Sequence, residues 1–395
     1  MRAIELFAGA GGLGIGISMA GFRPAEVVEW DRWCCDTIRE NRARPDSRVA
    51  KWPAPLEGDV RNFSFRHYEG NVELVTGGPP CQPFSLGGKH RAFNDSRDMW
   101  SEAVRVVRET KPKAFIFENV KGLTRESFSS YLAYIVHQLT YPEIARREYE
   151  SWEDHLGRLV GHHTAIRLGG NTLTYRVVYR VLNAANYGIP QRRERVVFVG
   201  FRSDLDLEWS FPEETHSLDA LLWDQTRGDY WERRNVSKRL RILAQRFEER
   251  ARRLIERPVS LPWQTVRDAI GELPDPEHEP RKAVTFANHR FQPGARAYPG
   301  HTGSPLDEPA KTLKAGVHGV PGGENMLARP DGSVRYFSVR ESARLQTFPD
   351  NFVFHGSWTE TMRQLGNAVP IELAAIIARS VRAHLYPSGK PVGRA

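Results

Sequence analysis

Short apolar runs alternate along the first half of the chain with stretches of three- and four-residue apolar spacing, the pattern of strands alternating with helices. Ala3-Ile4-Glu5-Leu6-Phe7 reads as a short buried strand. Ala8-Gly9-Ala10-Gly11-Gly12 follows and leads into a helical pattern through Leu13, Ile17 and Ala20. Strand, glycine-rich turn and helix in that order open a nucleotide-type α/β unit. A second strand over 25–30 ends in Glu29-Trp30-Asp31, and a helix is predicted over 32–41. Gly58-Asp59-Val60 closes a short third segment. A fourth strand, Val72 to Val75, runs into Gly77-Gly78-Pro79-Pro80-Cys81-Gln82-Pro83-Phe84-Ser85. A helix through Met99, Ala103, Val106 and Val107 precedes a fifth strand, Ala114 to Phe117, which ends in Glu118-Asn119-Val120. Residues 127–139 read as helix and 141–172 as an irregular insertion of mixed charge. Strands return at Tyr175 to Leu182 and at Arg195 to Gly200, the second fed by Gln191-Arg192-Arg193-Glu194.

Near 203–210 this alternation is lost, and Pro, Trp and Arg become more frequent. An amphipathic helix is predicted over 236–256, and loops on short strands over 283–333, including the glycine-rich stretch from Gly316 to Gly323. Order returns with a capped helix over 338–346 and an apolar helix over 371–384. The pattern predicts an α/β protein with a doubly wound, mostly parallel sheet. Residues 1–204, completed by 365–395, would form the catalytic and cofactor-binding domain. Residues 205–335 would form a smaller, loop-rich domain, and 336–364 a connecting segment.

Composition narrows the partners. The 395 residues carry a formal charge of +8, with 40% hydrophobic and 26% charged residues, as expected of a globular protein with a basic surface. Residues 227–257 hold eleven Lys/Arg against five Asp/Glu, which is +6 of that total. A charge so lopsided suits a phosphate-facing helix at least as well as a solvated face. Cys34, Cys35 and Cys81 make neither a disulfide framework nor a zinc cluster, so a reducing compartment and no metal are expected. No apolar run approaches the ~20 residues of a bilayer span, and no signal peptide is visible. A soluble cytoplasmic protein with no membrane partner is therefore expected.

Candidate chemistry gathers where such sheets bind ligands, at the carboxyl ends of their strands. Glu29, Asp59, Cys81 and Glu118 all fall there. The glycine turn lets a ligand approach the backbone, and an acidic residue about 20 positions on suits ribose hydroxyls. Two Gly and two Pro ahead of Cys81 form a rigid stop that aims one thiol, although an incidental cysteine in a tight loop is the competing reading. A free thiol, with a pKa near ~8.5, is a weak nucleophile until nearby positive charge lowers that value. Glu118 could supply acid chemistry. Arg195 abuts an apolar run and needs a partner there. Nucleophile, acid, nucleoside-bearing cofactor and polyanionic partner together suggest group transfer to a nucleic-acid base.

These residues resemble, in order, the motifs of the bacterial-type DNA (cytosine-5)-methyltransferases. Phe7 to Gly12 resembles that family's cofactor loop, Glu29-Trp30-Asp31 its ribose segment and Gly58-Asp59-Val60 its adenine site. Pro79-Pro80-Cys81-Gln82 and Glu118-Asn119-Val120 resemble its two catalytic motifs, and Gln191 to Arg195 its QxRxR segment. Arg340 to Gln346 and Gly366-Asn367-Ala368-Val369 resemble the last two motifs.

The resemblance implies the class I S-adenosylmethionine-dependent methyltransferase fold with a target-recognition domain over 205–335. It implies S-adenosylmethionine held by Phe7, Gly9, Gly11, Gly12, Glu29, Trp30, Asp59, Val60 and Pro79, with Asn367, Ala368 and Val369 closing the pocket. It implies a catalytic set of Cys81, Glu118, Arg193 and Arg195, with Cys81 adding to carbon-6 of a flipped cytosine. Ser85, Lys89, Arg91 and Arg97, on a loop over 82–97 that would close with Gly87-Gly88 as its hinge, are the implied contacts to double-stranded DNA. A monomer is expected, with a cognate restriction endonuclease as the implied functional partner. A tRNA cytosine methyltransferase shares these motifs. A catalytically silent DNA-binding relative and a small-molecule methyltransferase are the readings outside that chemistry.

Overall fold

The computed structural model describes residues 1–80, 98–165, 172–299, 302–315 and 325–387. Cys81, Ser85, Lys89, Arg91 and Arg97, the loop over 82–97 and the Gly316 to Gly323 stretch lie outside the described residues. The chain forms two compact units. The first comprises Met1–Leu182, Glu194–Pro212 and Ala374–Ala395, and the second Asn183–Arg193 and Glu213–Leu373.

The first unit is built on β1 (Arg2–Leu6), α1 (Gly12–Met19), β2 (Arg23–Glu29), α2 (Arg32–Arg42), β3 (Leu56–Glu57) and β4 (Leu74–Gly77). It continues with α3 (Trp100–Thr110), β5 (Ala114–Val120), α4 (Ser129–Thr140), α5 (Trp152–Ala165), β6 (Tyr175–Asn183) and β7 (Glu194–Arg202). Seven strands lie in the order β3-β2-β1-β4-β5-β7-β6. Pairing is parallel from β3 to β5, and β7 runs antiparallel to β5. The order reverses direction between β1 and β4, so the switch point of the sheet lies where the glycine turn and the Pro79-Pro80 stretch emerge. Buried on both faces, β1 and β5 read as near-continuous apolar runs. Trp100 meets Phe117 and Phe198 edge-on, and Phe115 stacks on Phe117, in the core under this sheet.

The expected irregular insertion over 141–172 is irregular over 141–151 but then forms the helix α5 over Trp152–Ala165. Ser151 accepts the Asp154 amide at 3.0 Å, which starts α5, and Trp152, His155 and Leu159 turn inward along one face. Its apolar stripe is interrupted by a buried histidine, which hides the helical period.

The second unit holds β8 (His216–Ser217), α6 (Leu218–Arg227), α7 (Tyr230–Arg233), α8 (Gln245–Arg253), β9 (Leu261–Pro262), α9 (Val266–Ile270) and α10 (Pro280–Ala283). It ends with β10 (Ser304–Pro305), β11 (Met326–Ala328), β12 (Val334–Tyr336), α11 (Val339–Leu345), α12 (Trp358–Asn367) and the start of α13 (Ile371–Leu385). The capped helix read from the sequence is α11. Ser338 and Glu341 form a capping box, and Glu341 also takes the buried Arg335 in two 2.7 Å bonds.

The units divide the chain differently from the boundaries read in the sequence. Residues 183–193 go with the second unit because Gln191 and Arg192 bond to the 310–313 backbone: the Arg192 amide donates to Ala310 O at 2.8 Å, and the Leu313 amide to Gln191 Oε1 at 3.0 Å. Residues 336–373 join it as well, tied by Arg344 to Ala269 O at 3.1 Å and by Gln346 to Leu365 O at 2.6 Å. Residues 205–212 stay with the first unit, where Trp209 donates to Ser380 Oγ at 3.0 Å. The C-terminal helix completes that unit only from Ala374 onward, with Arg382 on Ala20 O at 3.1 Å.

The long amphipathic helix expected over 236–256 is only α8, preceded by a short 3₁₀ turn at Lys238–Leu240. Several basic residues in and just before this stretch are engaged by carboxylates, while Lys238, Arg239, Arg252, Arg253 and Arg257 stay exposed. Arg234 sits on Asp268, Arg246 on Glu308, Arg250 on Asp219 at 2.5 Å and Arg241 on Glu232 at 2.5 Å. Asp219, Asp268 and Glu308, outside the segment, offset part of a charge that looks lopsided when read locally.

Candidate active site

The site grows from the carboxyl edge of the first unit's sheet. After β1 the backbone turns sharply. Phe7 has φ +54°, Gly9 +55° and Gly11 +88°. The two glycines adopt this left-handed region without strain, whereas Phe7 does so at a cost. A Cβ at Gly9 would meet nothing within 4 Å, so the turn keeps open space against its backbone. On the helix side, Gly11 and Gly14 lie against the ring of Trp52.

Glu29, at the end of β2, organises this turn. One carboxylate oxygen accepts the Gly9 amide at 2.7 Å, and the other accepts Trp30 and Asp31 amides at 2.9 and 2.8 Å. Burial pushes its carboxyl above the ordinary carboxylate value, against these amides, which favour the charge. A carboxylate has about four acceptor sites, which leaves capacity for a hydroxyl. Trp30 beside it is 74% exposed, a large apolar face with no protein cover. Asp59 caps the turn after β3, and the Arg61 guanidinium holds it below the ordinary carboxylate range. The Val60 side chain is in the core and its carbonyl accepts Arg105 Nη2 at 2.9 Å and the Phe63 amide at 3.2 Å, so a ligand would meet its amide. Open glycine backbone, an acidic group at the next strand and an uncovered indole fit a nucleoside-bearing cofactor.

The second half of the site follows β4 and β5. A Cβ at Gly77 would lie 2.5 Å from Leu6 O, so the strand can pass β1 there only as glycine. The Gly78 Cβ position is 3.2 Å from Glu118 Oε2, which brings the Glu118 carboxylate against the stretch that precedes Cys81. Asn119 donates to Pro79 O at 2.9 Å, and the Met99 amide to Pro80 O at 3.3 Å. Both proline carbonyls are therefore held. Arg195 lies on β7, where Glu118 pairs with Val197 and Val120 with Arg195. This register makes Glu118 and Arg195 diagonal neighbours on one face, and Arg195 Nε reaches Glu118 Oε1 at 2.8 Å. Burial lowers the Arg195 pKa from its ordinary value, and Glu118 opposes that shift.

The remaining expected residues stand elsewhere. Arg193 is fully buried in the second unit and donates to Leu313 O at 3.2 Å and Gly366 O at 2.8 Å. Both of its terminal nitrogens thus meet backbone carbonyls of the same unit. Asn367, Ala368 and Val369 belong to the second unit, just after α12. Two residues of the edge were missed in the sequence. Asn119 was seen only as part of a motif, although an amide at a strand end beside a Gly/Pro stop is a candidate clamp. Glu5, a carboxyl inside an apolar run, is 2% exposed and bonded to the Thr76 hydroxyl.

The chain matches the family model described as C-5 cytosine-specific DNA methylase over residues 1–141 and 168–383. It is 31% identical over 398 residues to the type II methyltransferase M.PspPI of Psychrobacter sp. (strain TA137), covering 98% of this chain and 80% of that one. It is 29% identical to the type II methyltransferase M.NgoMIV of Neisseria gonorrhoeae, covering 96% of each. Among solved structures, the S. pombe Dnmt2 methyltransferase superposes with a TM-score of 0.56 at 16% identity, over 99% of this chain and 100% of that one. The last likeness bears on the fold alone.

Proposed function

This chain belongs to the C-5 cytosine-specific DNA methylase family, and from that premise we propose that it methylates cytosine in duplex DNA through a covalent adduct of Cys81, with S-adenosylmethionine as methyl donor. DNA cytosine-5 methyltransferase activity follows from the family itself. The finer mechanism rests on one observation: the buried Glu118 carboxylate, paired with Arg195, lies against Gly78, three residues ahead of Cys81.

In this reading the target cytosine leaves the base stack, since its ring atoms are not reachable within the duplex. The Cys81 thiolate adds to ring carbon-6, and the electron pair of the carbon-5–carbon-6 double bond moves toward carbon-5. Glu118, carrying its proton for this step, donates it or a hydrogen bond to ring nitrogen-3 and so stabilises the negative charge that spreads there from carbon-5. Arg195 holds the Glu118 carboxyl in one orientation. When bound, S-adenosylmethionine supplies the electrophilic methyl group that carbon-5 takes up. Loss of the carbon-5 proton to a base then restores the double bond and expels the Cys81 thiolate. Phe7 and Trp30 would flank the adenine, Gly9, Gly11, Gly12 and Pro79 would line the path of the cofactor, Glu29 would take the ribose hydroxyls, and Asp59 and the Val60 backbone the adenine edge. Asn367, Ala368 and Val369 are assigned to the same cofactor, and Ser85, Lys89, Arg91 and Arg97 to DNA.

The relatives named as type II methyltransferases support a role in restriction-modification, with an endonuclease acting on the same site. Methyl transfer from labelled cofactor to duplex DNA and to tRNA tests the substrate, and duplex DNA is expected to be the acceptor. Preference for tRNA would overturn this. Cys81→Ser is expected to abolish transfer while cofactor binding stays nearly intact. Bisulfite sequencing of DNA from cells expressing the protein would read out the recognition site.

A further inference from the structure

Residues 142–167 fall outside the match to the family model, yet α5, which they contain, is part of the first unit's core. Trp152 meets Tyr131 edge-on, with ring centroids 6.0 Å apart, and lies 5.7 Å from Tyr134. His155 is 1% exposed and lies between two oxygens. Its Nε2 donates to Ile144 O at 2.8 Å, so its Nδ1 must accept the Tyr134 hydroxyl at 2.9 Å. The insertion is thus fastened to the tyrosine face of α4.

From that face the connection continues to the catalytic stretch. The Tyr131 hydroxyl donates to Asp98 Oδ2, and Asp98 Oδ1 accepts the Trp100 amide at 3.2 Å at the start of α3. Met99, between Asp98 and Trp100, donates its amide to Pro80 O at 3.3 Å. Pro80 immediately precedes Cys81. Asn119 holds Pro79 O from the β5 side. One proline carbonyl is therefore held from the sheet, and the other from the start of α3, which Asp98 links to the insertion's tyrosine face.

We propose that Tyr131, buttressed by Trp152 of the insertion, is a positioning residue for the Pro79-Pro80 backbone that leads into Cys81, acting through Asp98 and the Met99–Pro80 hydrogen bond. The inference rests on the reading of Cys81 as nucleophile. Displacing a reacting group by about 1 Å costs on the order of 10²-fold in rate, so a loosened grip on Pro80 acts on turnover and not on cofactor affinity.

Tyr131→Phe removes one hydroxyl and keeps the ring against Trp152. It is expected to lower kcat for DNA methylation roughly tenfold or more, with the Kd for S-adenosylmethionine and the thermal midpoint close to those of the parent. Trp152→Phe, which keeps an aromatic edge, is expected to retain more activity than Trp152→Ala. Unchanged kcat in Tyr131→Phe, or a parallel loss of cofactor affinity and thermal stability, would overturn the positioning role. Cys81→Ser is measured alongside: if it still methylates DNA, the nucleophile reading itself fails. If it is inactive while Tyr131→Phe turns over normally, only the positioning role fails. Should Trp152→Ala not fold, the Tyr131→Phe comparison decides alone.

Discussion

Arg195 Nε lies 2.8 Å from Glu118 Oε1, and their side chains are 13% and 10% exposed. The antiparallel register of β5 and β7 brings the two to one face, so strand pairing assembles the carboxylate proposed for catalysis and its counter-ion. Removing one partner leaves a buried charge uncompensated, at a cost of about 3–5 kcal/mol. Glu118→Gln is therefore expected to lower the thermal midpoint by this route, and to slow methylation by about 10²–10⁴-fold through loss of the acid-base group. Circular-dichroism melts and single-turnover methylation check both; full activity in Glu118→Gln would remove it from the chemistry.

Gly77 and Gly78 separate stability from catalysis. The added methyl of Gly77→Ala would press on Leu6 O, a backbone atom that cannot move without disturbing the β1–β4 pairing. Overpacking of this kind costs about 1–3 kcal/mol, so Gly77→Ala should unfold at lower denaturant. Gly78→Ala presses on the Glu118 carboxylate, at 3.2 Å, with the Glu118 carbonyl at an ordinary 3.9 Å, and is expected to keep its stability while losing turnover. Equal effects of both substitutions on denaturation midpoints would contradict this division.

The basic segment of the second unit makes a third case. Arg246 and Arg250 are already engaged by Glu308 and Asp219. A side chain that neutralises a phosphate contributes about 0.9 to the slope of log affinity against log salt. Arg246→Gln and Arg250→Gln are expected to leave that slope for duplex DNA nearly unchanged in filter-binding titrations. A drop of about one per substitution would place these arginines on phosphates.

The parallel sheet and its ligand edge were legible in the sequence because strands buried on both faces leave continuous apolar runs. The glycine turn at Gly9 and Gly11 was legible for a stricter reason, since its positive φ values suit glycine. The α5 helix was not legible, because a buried His155 replaces an apolar residue on its inner face. The balance of charge around α8 was hidden as well. Asp219 is 31 residues from Arg250 and Glu308 is 62 from Arg246, so only the folded chain brings them together. Arg193 and Arg195 look equivalent in the QxRxR segment, and only the folded chain separates their partners. One holds the carbonyls of Leu313 and Gly366, and the other the carboxylate of Glu118.

Glu5 gives a pH dependence that its position explains. It lies in β1 between β2 and β4, 2% exposed, beside the Thr76 hydroxyl and the Gly14 amide. Burial outweighs those hydrogen bonds and pushes its carboxyl from 4.5 up to about 8. In the unfolded chain the group ionises near 4.5, whereas the folded protein keeps its proton until about 8. Across that window the folded state binds more protons than the unfolded state, so stability falls as pH rises and levels off above it. Glu5→Gln keeps the shape, can still accept the Gly14 amide and does not titrate. The stability of the parent relative to this variant is therefore expected to decline steadily from about pH 5 to about pH 8 in urea denaturation. A difference that stays constant over this range would mean that Glu5 ionises as readily in the folded chain as in the unfolded one.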